Sequence, residues 1–297
     1  MSNSQHYRGR FAPSPSGDLH FGSLVAALGS FLDARHHHGQ WLVRIEDIDP
    51  PREVAGATKS ILTTLECFGL NWDLDITYQS QRHQFYQDKL NSIIKGNRAY
   101  GCDCTRKMIM QSGGLYQGHC LSNNNLSDPH SIRFKNLSGI VEFNDRLQGL
   151  TQVGNAFANE DFILKRKDGL FAYQLVVVLD DIEQNITDIV RGCDLLEVST
   201  RQMTLYQYFN HLPVRYLHLP LIVNDAGLKL SKQNYAKALD LTQVKATLLL
   251  ALDYLGQEVS LQHQDYSVEA LLIEAAKNWN ISQIPSGPLN TKKIISN

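Results

Sequence analysis

The run "GRFAPSPSGDLHFGS", residues 9–23, holds two prolines, three serines and three glycines, and "LVAALGSFLDARHHHG" (24–39) follows it directly. The second run places Leu24, Leu28, Phe31 and Leu32 on one helical face, at spacings of three and four. Upstream, Tyr7 to Ala12 reads as a short strand; downstream, beyond Gly39, "WLVRIEDID" (41–49) reads as another. Strand, turn, helix and strand in this order imply parallel strands joined by a right-handed crossover. The turn from Pro13 to Ser23 then lies beyond the carboxyl end of a strand, where open parallel sheets take their ligands. A helix N-terminus there offers unpaired N–H groups and partial positive charge, which suit a phosphate. Gly17 and Gly22 let backbone approach a ligand, Pro13 and Pro15 stiffen the path, and His20 can donate a hydrogen bond to a phosphate oxygen. The plain alternative is a tight strand–helix connection with a capping serine. The turn lacks GxGxxG and GxxxxGK[ST], which argues against a dinucleotide dehydrogenase or a P-loop enzyme.

Working outward, "TKSILTTLECFGL" (58–70) and "QRHQFYQDKLNSIIKG" (81–96) are amphipathic helices. Between about Tyr100 and Asn159 the pattern changes to cysteines, the polar run "LSNNNLSDPHS" and short alternating stretches, "SIRFKN" and "GIVEFND". This reads as a small insertion with β character. "LVVVLDDI" (175–182) is a continuous apolar run ending in acids, which predicts a strand buried on both faces. "TRQMTLYQYFNHL" reads as helix and "YLHLPLIV" as strand. Two amphipathic helices close the chain, the second with Val268, Leu271, Leu272, Ala275, Ala276 and Trp279 on one face. The expected organisation is an α/β nucleotide-binding fold in four parts. Residues 1–99 form the first half of the nucleotide-binding domain, 100–160 the insertion, 161–222 the second half and 223–297 a lysine loop with a short helical C-terminal part.

Composition sets bounds. In 297 residues, 43% are hydrophobic and 20% charged, the net charge is -2, and no apolar run is long enough to span a bilayer. The near-zero charge argues against a broad electrostatic grip on nucleic acid, though not against a local basic face. The N-terminus has no apolar signal core. Five cysteines, three of them clustered, suit reduced thiols or metal ligands in a cytoplasmic protein better than a disulfide framework. Cys102, Cys104 and Cys120 lie within 19 residues together with Tyr116 and His119. Three thiolates suit zinc, which takes four ligands, and His119 is the chemically usual fourth. Three buried thiols without a metal are the alternative.

"GLKLSKQ" (227–233) sets two lysines in a small loop directly after a strand. Lysines and a histidine brought to one triphosphate would stabilise charge on the α-phosphorus and on departing pyrophosphate. At this point a family resemblance enters. His20-Phe21-Gly22-Ser23 resembles the "HIGH" signature of the class I aminoacyl-tRNA synthetases, and Lys229-Leu230-Ser231-Lys232-Gln233 resembles their "KMSKS" loop. "RFAPSPSGDLHFGS", "VRIEDIDPPRE", "DGLFAYQLVVVLDDI" and "IVRGCDLLEVSTRQMTLY" resemble segments of the glutamyl branch, in the same order, across roughly residues 8 to 240.

The resemblance implies a Rossmann-like class I catalytic domain with a parallel sheet and a zinc-bearing insertion. The short stretch after Gln233 adds the expectation of no anticodon-binding domain, as in the truncated paralogue of this branch. That paralogue activates L-glutamate with ATP without needing tRNA, then attaches glutamate to queuosine at the wobble position of tRNA(Asp). The alternatives are a minimal glutamyl-tRNA synthetase charging tRNA(Glu) and a non-catalytic synthetase-like binding protein. The implied catalytic residues are His20, Lys229 and Lys232. ATP, with magnesium, would meet Gly17, His20, Gly22, Ser23 and Lys232. Glutamate would meet Arg10, Phe11, Ala12, Pro13, Ser14, Glu46, Tyr173 and Arg191, with Glu46 on its ammonium, Arg10 and Arg191 on its carboxylates, and Arg191 on the side-chain carboxylate. The metal set implied is Cys102, Cys104, Tyr116 and Cys120, holding a structural zinc. Asp47, Asp49, Asp180 and Asp181 are positional candidates for a base in the transfer step, or else loop-orienting and helix-capping acids. The basic run Lys165, Arg166 and Lys167 would contact phosphates or simply face solvent. A cytoplasmic monomer with no membrane partner is expected.

Overall fold

The computed structural model describes residues 6–123, 125–126, 130–223 and 237–290. The lysine loop, including Lys229 and Lys232, lies outside the described residues. In chain order the elements are β1 (Arg8–Phe11), α1 (Phe21–His36), β2 (Gln40–Ile45), α2 (Ala57–Cys67), β3 (Thr77–Tyr78), α3 (His83–Lys95) and β4 (Ala99–Cys102). Then follow α4 (Arg106–Gln111), β5 (Ser131–Phe134), β6 (Glu142–Asp145), β7 (Gly149–Gln152), α5 (Asn155–Ala158) and β8 (Ile163–Lys165). The remainder are α6 (Tyr173–Glu183), β9 (Asp188–Gly192), α7 (Val198–Tyr208), β10 (Arg215–Leu219), β11 (Ile222–Val223), α8 (Val244–Tyr254), α9 (Val268–Lys277) and β12 (Leu289–Asn290).

The opening unit is as the sequence predicts. β1 pairs parallel with β2, Arg8 opposite Gln40, and α1 crosses between them. Gly39 ends the crossover because a Cβ there would sit 2.4 Å from the Tyr7 carbonyl. β3 extends this ladder, and β9 and β10 form a second parallel pair. Hydrogen bonds from Thr187 N–H to Arg8 O and from Arg8 N–H to Thr187 Oγ1, both 2.9 Å, bring β9 level with β1. Apolar residues of α1, such as Leu24, Leu28 and Leu32, meet Leu217 and Leu219 of β10 and Leu252 and Leu272 of the C-terminal helices in one core. Among the described residues no helix is long and apolar enough to cross a membrane.

One expectation is overturned. "LVVVLDDI" is not a strand; it lies within α6. The run is buried all round, so its apolar continuity carries no periodicity to separate helix from strand. The two acids reveal why helix wins. In a strand, adjacent side chains point to opposite faces, whereas on a helix they lie about 100° apart. Asp180 and Asp181 both reach Arg44, at 3.7 and 2.8 Å.

The insertion is β-rich, as its alternation suggests. β4, β5 and β8 form an antiparallel sheet, with a bulge at Ile132/Arg133, and β6 and β7 form a hairpin. This hairpin docks on β10 and α1: Arg146 N–H donates to Tyr216 O (2.8 Å), and the Arg146 guanidinium pairs with buried Asp33 of α1. Asp33 also accepts from Tyr7 Oη (2.5 Å) and Trp279 Nε1 (3.1 Å), so one carboxylate ties the first strand, the hairpin and the C-terminal part to α1.

Candidate active site

The turn after β1 carries His20 as the N-cap of α1. Its Nδ1 accepts from Ser23 N–H at 3.2 Å, which fixes the ring proton on Nε2. Gly22 and Ser23 fall in the first turn of α1, and Gly17 takes φ +130°, backbone that favours glycine. His20 bridges Ala238, and Leu239 N–H donates to Leu19 O at 3.0 Å. The residues that follow the lysine loop therefore run beside this turn, and β11, which precedes the loop, is anchored by β12.

Next to the turn lies a buried network of charge. Arg10 leaves one face of β1 and makes a two-pronged pair with Asp181, both contacts 3.2 Å. Phe11 leaves the opposite face and stacks on Trp41, so its side chain belongs to the core. Arg44, wholly buried, pairs with Asp181 at 2.8 Å and faces Glu46 at 3.5 Å. Asp180 accepts from Gln79, Arg82 and Tyr86. Burial works against the Asp181 carboxylate, yet the adjacent Arg10 and Arg44 outweigh it and hold its pKa below the ordinary range. Glu46 goes the other way: burial raises its carboxyl, and Arg44 and Arg10 only partly compensate. Glu46 N–H donates to Pro13 O (3.0 Å), which ties the end of β2 to the turn.

Tyr173, the first residue of α6, sits in the electrostatic reach of Arg191, Glu46 and Arg10; burial raises its pKa. Arg191, on β9, donates through Nη2 to Ser199 Oγ (2.8 Å) and Gln202 Oε1 (2.9 Å). Two buried atoms here have no hydrogen-bond partner among the described residues, Glu46 Oε1 and Arg191 Nη1. Glu46 Oε1 has only the Arg44 guanidinium nearby, at 3.5 Å, and Arg191 Nη1 keeps an unused donor; chemically, such an acceptor and donor can take an ammonium and a carboxylate.

Ser14, Glu46 and Tyr173 also line a cleft of about 530 Å³ that runs to the insertion and includes Arg133, Arg166 and Arg201. Of the four acids named from sequence, only Asp49 lines this cleft, held by Arg52 (2.6 Å) and Arg166 (3.1 Å). Asp47 is engaged by Ser80 N–H and Oγ, and Asp180 and Asp181 are saturated inside the protein. Arg166 of the basic run faces Asp49 and Asp168.

The thiols of Cys102, Cys104 and Cys120 lie within 4.8 Å of one another. Cys104 and Cys120 Sγ are 3.6 Å apart, close to the ~3.8 Å that tetrahedral Zn–S bonds of ~2.3 Å require. Tyr116 is buried beside them, and its Oη accepts from Cys120 N–H at 2.8 Å. His119 is exposed and does not belong to the group. Burial and the neighbouring sulfurs push the Cys104 thiol up to about 12, whereas for Cys120 hydrogen bonds from the Asp103 backbone and Cys104 outweigh burial and lower it. Sulfurs this close could ionise together only around a cation, and the donor set fits zinc. Arg133 Nε also donates to Cys102 Sγ (3.2 Å) and its guanidinium lies over the Tyr116 ring.

Sequence reasoning missed Arg44 and Arg133. A signal existed for Arg44, an arginine flanked by apolar residues in a strand, which is a buried charge in need of partners. None existed for Arg133, whose partners are remote in sequence.

Residues 6–255 match the family model for "tRNA synthetases class I (E and Q), catalytic domain". The chain is 49% identical over 289 residues to the "Glutamyl-Q tRNA(Asp) synthetase" of Escherichia coli O157:H7, covering 97% of this chain and 94% of that one. It is 52% identical to the protein of the same name from Idiomarina loihiensis (92% and 96% covered) and 53% identical to that from Shewanella frigidimarina (94% and 94%). Among solved structures, a glutamate tRNA ligase from Elizabethkingia meningosepticum superposes with TM-score 0.78 at 24% identity, over 96% of this chain and 66% of that one. A glutamate-tRNA synthetase from Elizabethkingia anophelis gives 0.79, over 96% and 68%. These two show the fold.

Proposed function

We propose, because this chain belongs to the class I tRNA synthetases (E and Q) and within them to the family of Glutamyl-Q tRNA(Asp) synthetases, that it activates L-glutamate with ATP and passes the glutamyl group to queuosine at the wobble position of tRNA(Asp). In the first reaction a substrate carboxylate oxygen bonds to the α-phosphorus of ATP as the bond to pyrophosphate breaks. The enzyme's task is positioning and charge stabilisation more than proton removal. His20 Nε2–H and the first turn of α1, with Gly17, Gly22 and Ser23, would hold the phosphates. Lys232, helped by Lys229, would meet the charge on the α-phosphoryl group and the leaving pyrophosphate, with magnesium accompanying ATP. Glu46 would take the ammonium and Arg191 the side-chain carboxylate, beside Tyr173, Ala12, Pro13 and Ser14. Arg10 spends two nitrogens on Asp181, which leaves Nη1 for the other carboxylate. Phe11 would serve through its backbone, since its ring is stacked in the core.

The insertion, residues 100–160, would face the RNA. Zinc, when bound, would crosslink Cys102, Cys104, Cys120 and Tyr116 and so fix that part of the cleft. The observation that carries the reading is the buried pair of atoms without a hydrogen bond, Glu46 Oε1, which has only the Arg44 charge at 3.5 Å, and Arg191 Nη1, near a helix N-terminus suited to phosphate. The test has two parts. Glutamate-dependent ATP–pyrophosphate exchange should proceed without RNA, and labelled glutamate should then appear on queuosine-bearing tRNA(Asp) and not on tRNA(Glu). Charging of tRNA(Glu) alone would overturn the acceptor, and absence of exchange would favour a binding protein.

A further inference from the structure

Arg191 is held by more than its contacts on α7. Its Nε–H points at His218 Nε2, 3.1 Å away on the neighbouring strand β10. An arginine can only donate, so Nε2 must accept, and the ring proton must sit on Nδ1. That nitrogen faces Asp145 Oδ2 at 2.7 Å. Asp145 ends β6, in the hairpin of the insertion, and is itself fixed by the backbone N–H groups of Leu147 and Gln148, both at 2.9 Å. Asp145 and His218 are buried and Arg191 nearly so. The other groups around the imidazole do not supply a competing proton. Ser199 Oγ, 3.2 Å from Nε2, accepts from Arg191 and has its own acceptor in Leu195 O (3.1 Å). Tyr216 stacks on the ring, Phe143 meets it at an angle, and Asp194 adds a negative charge nearby. Burial, with the Arg191 charge, keeps His218 less basic than an ordinary histidine, despite Asp145.

We infer that Asp145 and His218 form a positioning relay for substrate recognition: Asp145 fixes the neutral tautomer of His218, and His218 holds the Arg191 guanidinium so that its buried, unpartnered Nη1 faces the substrate carboxylate. The relay makes the insertion part of the amino-acid pocket. It resembles an Asp–His–Ser triad in connectivity, but the hydroxyl at its end is buried and spent on holding Arg191, so its output is orientation. The inference rests on the assignment of Arg191 to glutamate.

The experiment is glutamate-dependent ATP–pyrophosphate exchange by the full chain, with the KM for glutamate and for ATP measured separately and folding followed by thermal melting. The wild-type protein checks the assigned activity itself, since no glutamate-dependent exchange there would sink that reading and not the relay alone. His218→Asn keeps a donor near Asp145 but loses the acceptor for Arg191. His218→Gln places its carbonyl oxygen near the Nε2 position and keeps that acceptor. Loss of one charge-assisted hydrogen bond predicts a KM for glutamate raised roughly 10- to 100-fold in H218N, an ATP KM within about twofold, and most of the loss recovered in H218Q. The relay is overturned if a folded H218N keeps a glutamate KM within about twofold of wild type, if both KM values rise together, or if H218Q is no better than H218N. Should H218N fail to fold, Asp145→Asn decides: a selective rise in the glutamate KM supports the relay, and an unchanged one overturns it.

Discussion

Asp181→Asn probes the charge network on which the pocket is built. Asp181 neutralises Arg10 through two contacts and Arg44 through one, and accepts from Tyr206 Oη at 3.3 Å. All three charged groups are buried: Arg10 is 5% exposed, Arg44 0% and Asp181 2%. Removing one member of a buried ion pair costs about 3–5 kcal/mol, because the charge left behind has lost its water and its partner. Asparagine keeps an acceptor, and Glu46 and Asp180 still face Arg44, so the low end applies, about 3 kcal/mol. With a urea slope of about 3 kcal/mol/M, the unfolding midpoint should fall by about 1 M at pH 7. The effect has a pH signature. The folded-state pKa of Asp181 is depressed, so its stabilisation is fully present above the unfolded value of about 3.9 and is lost as pH falls through the lower folded value. The gap between wild type and D181N should therefore be widest near neutrality and close as acid is added. The glutamate KM should rise as well, because Arg10 and Arg44 frame Glu46. A midpoint shift below about 0.3 M, or a gap that stays constant into acid, would refute the reasoning.

Arg191→Gln should remove most of the preference for L-glutamate over L-glutamine in pyrophosphate exchange, a preference of about 3–5 kcal/mol if glutamine strands a buried guanidinium; equal loss with both substrates would count against Arg191 as the discriminating group. Glu46 has a raised pKa, so its ionised form weakens the fold near neutrality and its protonation begins above the ordinary glutamate range, opposite in sign to Asp181. The glutamate KM should then climb on the acid side, and in Glu46→Gln it should be high and flat across the same pH range. Chelation, or Cys104→Ser, should release one metal ion per chain by elemental analysis and abolish transfer to tRNA while leaving pyrophosphate exchange largely intact. The thiol cluster and the Asp145 hairpin are separate parts of the insertion, and exchange falling in step with transfer would contradict that separation.

The legible features were those whose physics is local. The β1–turn–α1–β2 unit shows in residues 7–45 because periodicity, turn residues and helix end coincide there, and the pairing of Arg8 with Gln40 follows the predicted parallel sense. The thiol group was legible because three cysteines within a short span, in a chain with an odd number of cysteines, read as a metal-ligand cluster more readily than as a disulfide framework. α6 was misread because its residues face protein on every side, which erases the amphipathic signal, and because its valines favour strands on propensity alone. The relay was illegible for a different reason. Asp145, Arg191 and His218 come from a hairpin and two strands, up to 73 positions apart, and nothing in the local pattern of any one of them announces the other two. Asp180 and Asp181 looked available for chemistry because acids after an apolar run often end a strand at a site, whereas the structure spends both as counter-ions.

The distribution of unsatisfied groups makes the strongest case for where this protein binds. Nine buried side-chain atoms lack a hydrogen-bond partner among the described residues, and seven belong to Arg44, Glu46, Gln79, Arg82, Arg191 and Gln202. Each such atom costs about 1–3 kcal/mol relative to a satisfied one, more when charged. An arrangement selected for stability alone would spread or remove that cost, and hydrophobic replacement of buried ion pairs is often neutral or stabilising. Here Glu46 and Gln79 line the cleft beside the β1 turn, Arg44 faces Glu46 from behind, and the set combines a raised carboxyl at Glu46 with a guanidinium edge at Arg191. A zwitterion bearing an ammonium and a second carboxylate would relieve both ends at once. Neutral apolar molecules would relieve neither, and a molecule with only one of the two groups would leave the other buried and unpaired. Selectivity would then come from the pocket's own incompleteness, and Asp145 and His218 would keep that incompleteness aimed by stopping Arg191 from turning to find a partner within the protein.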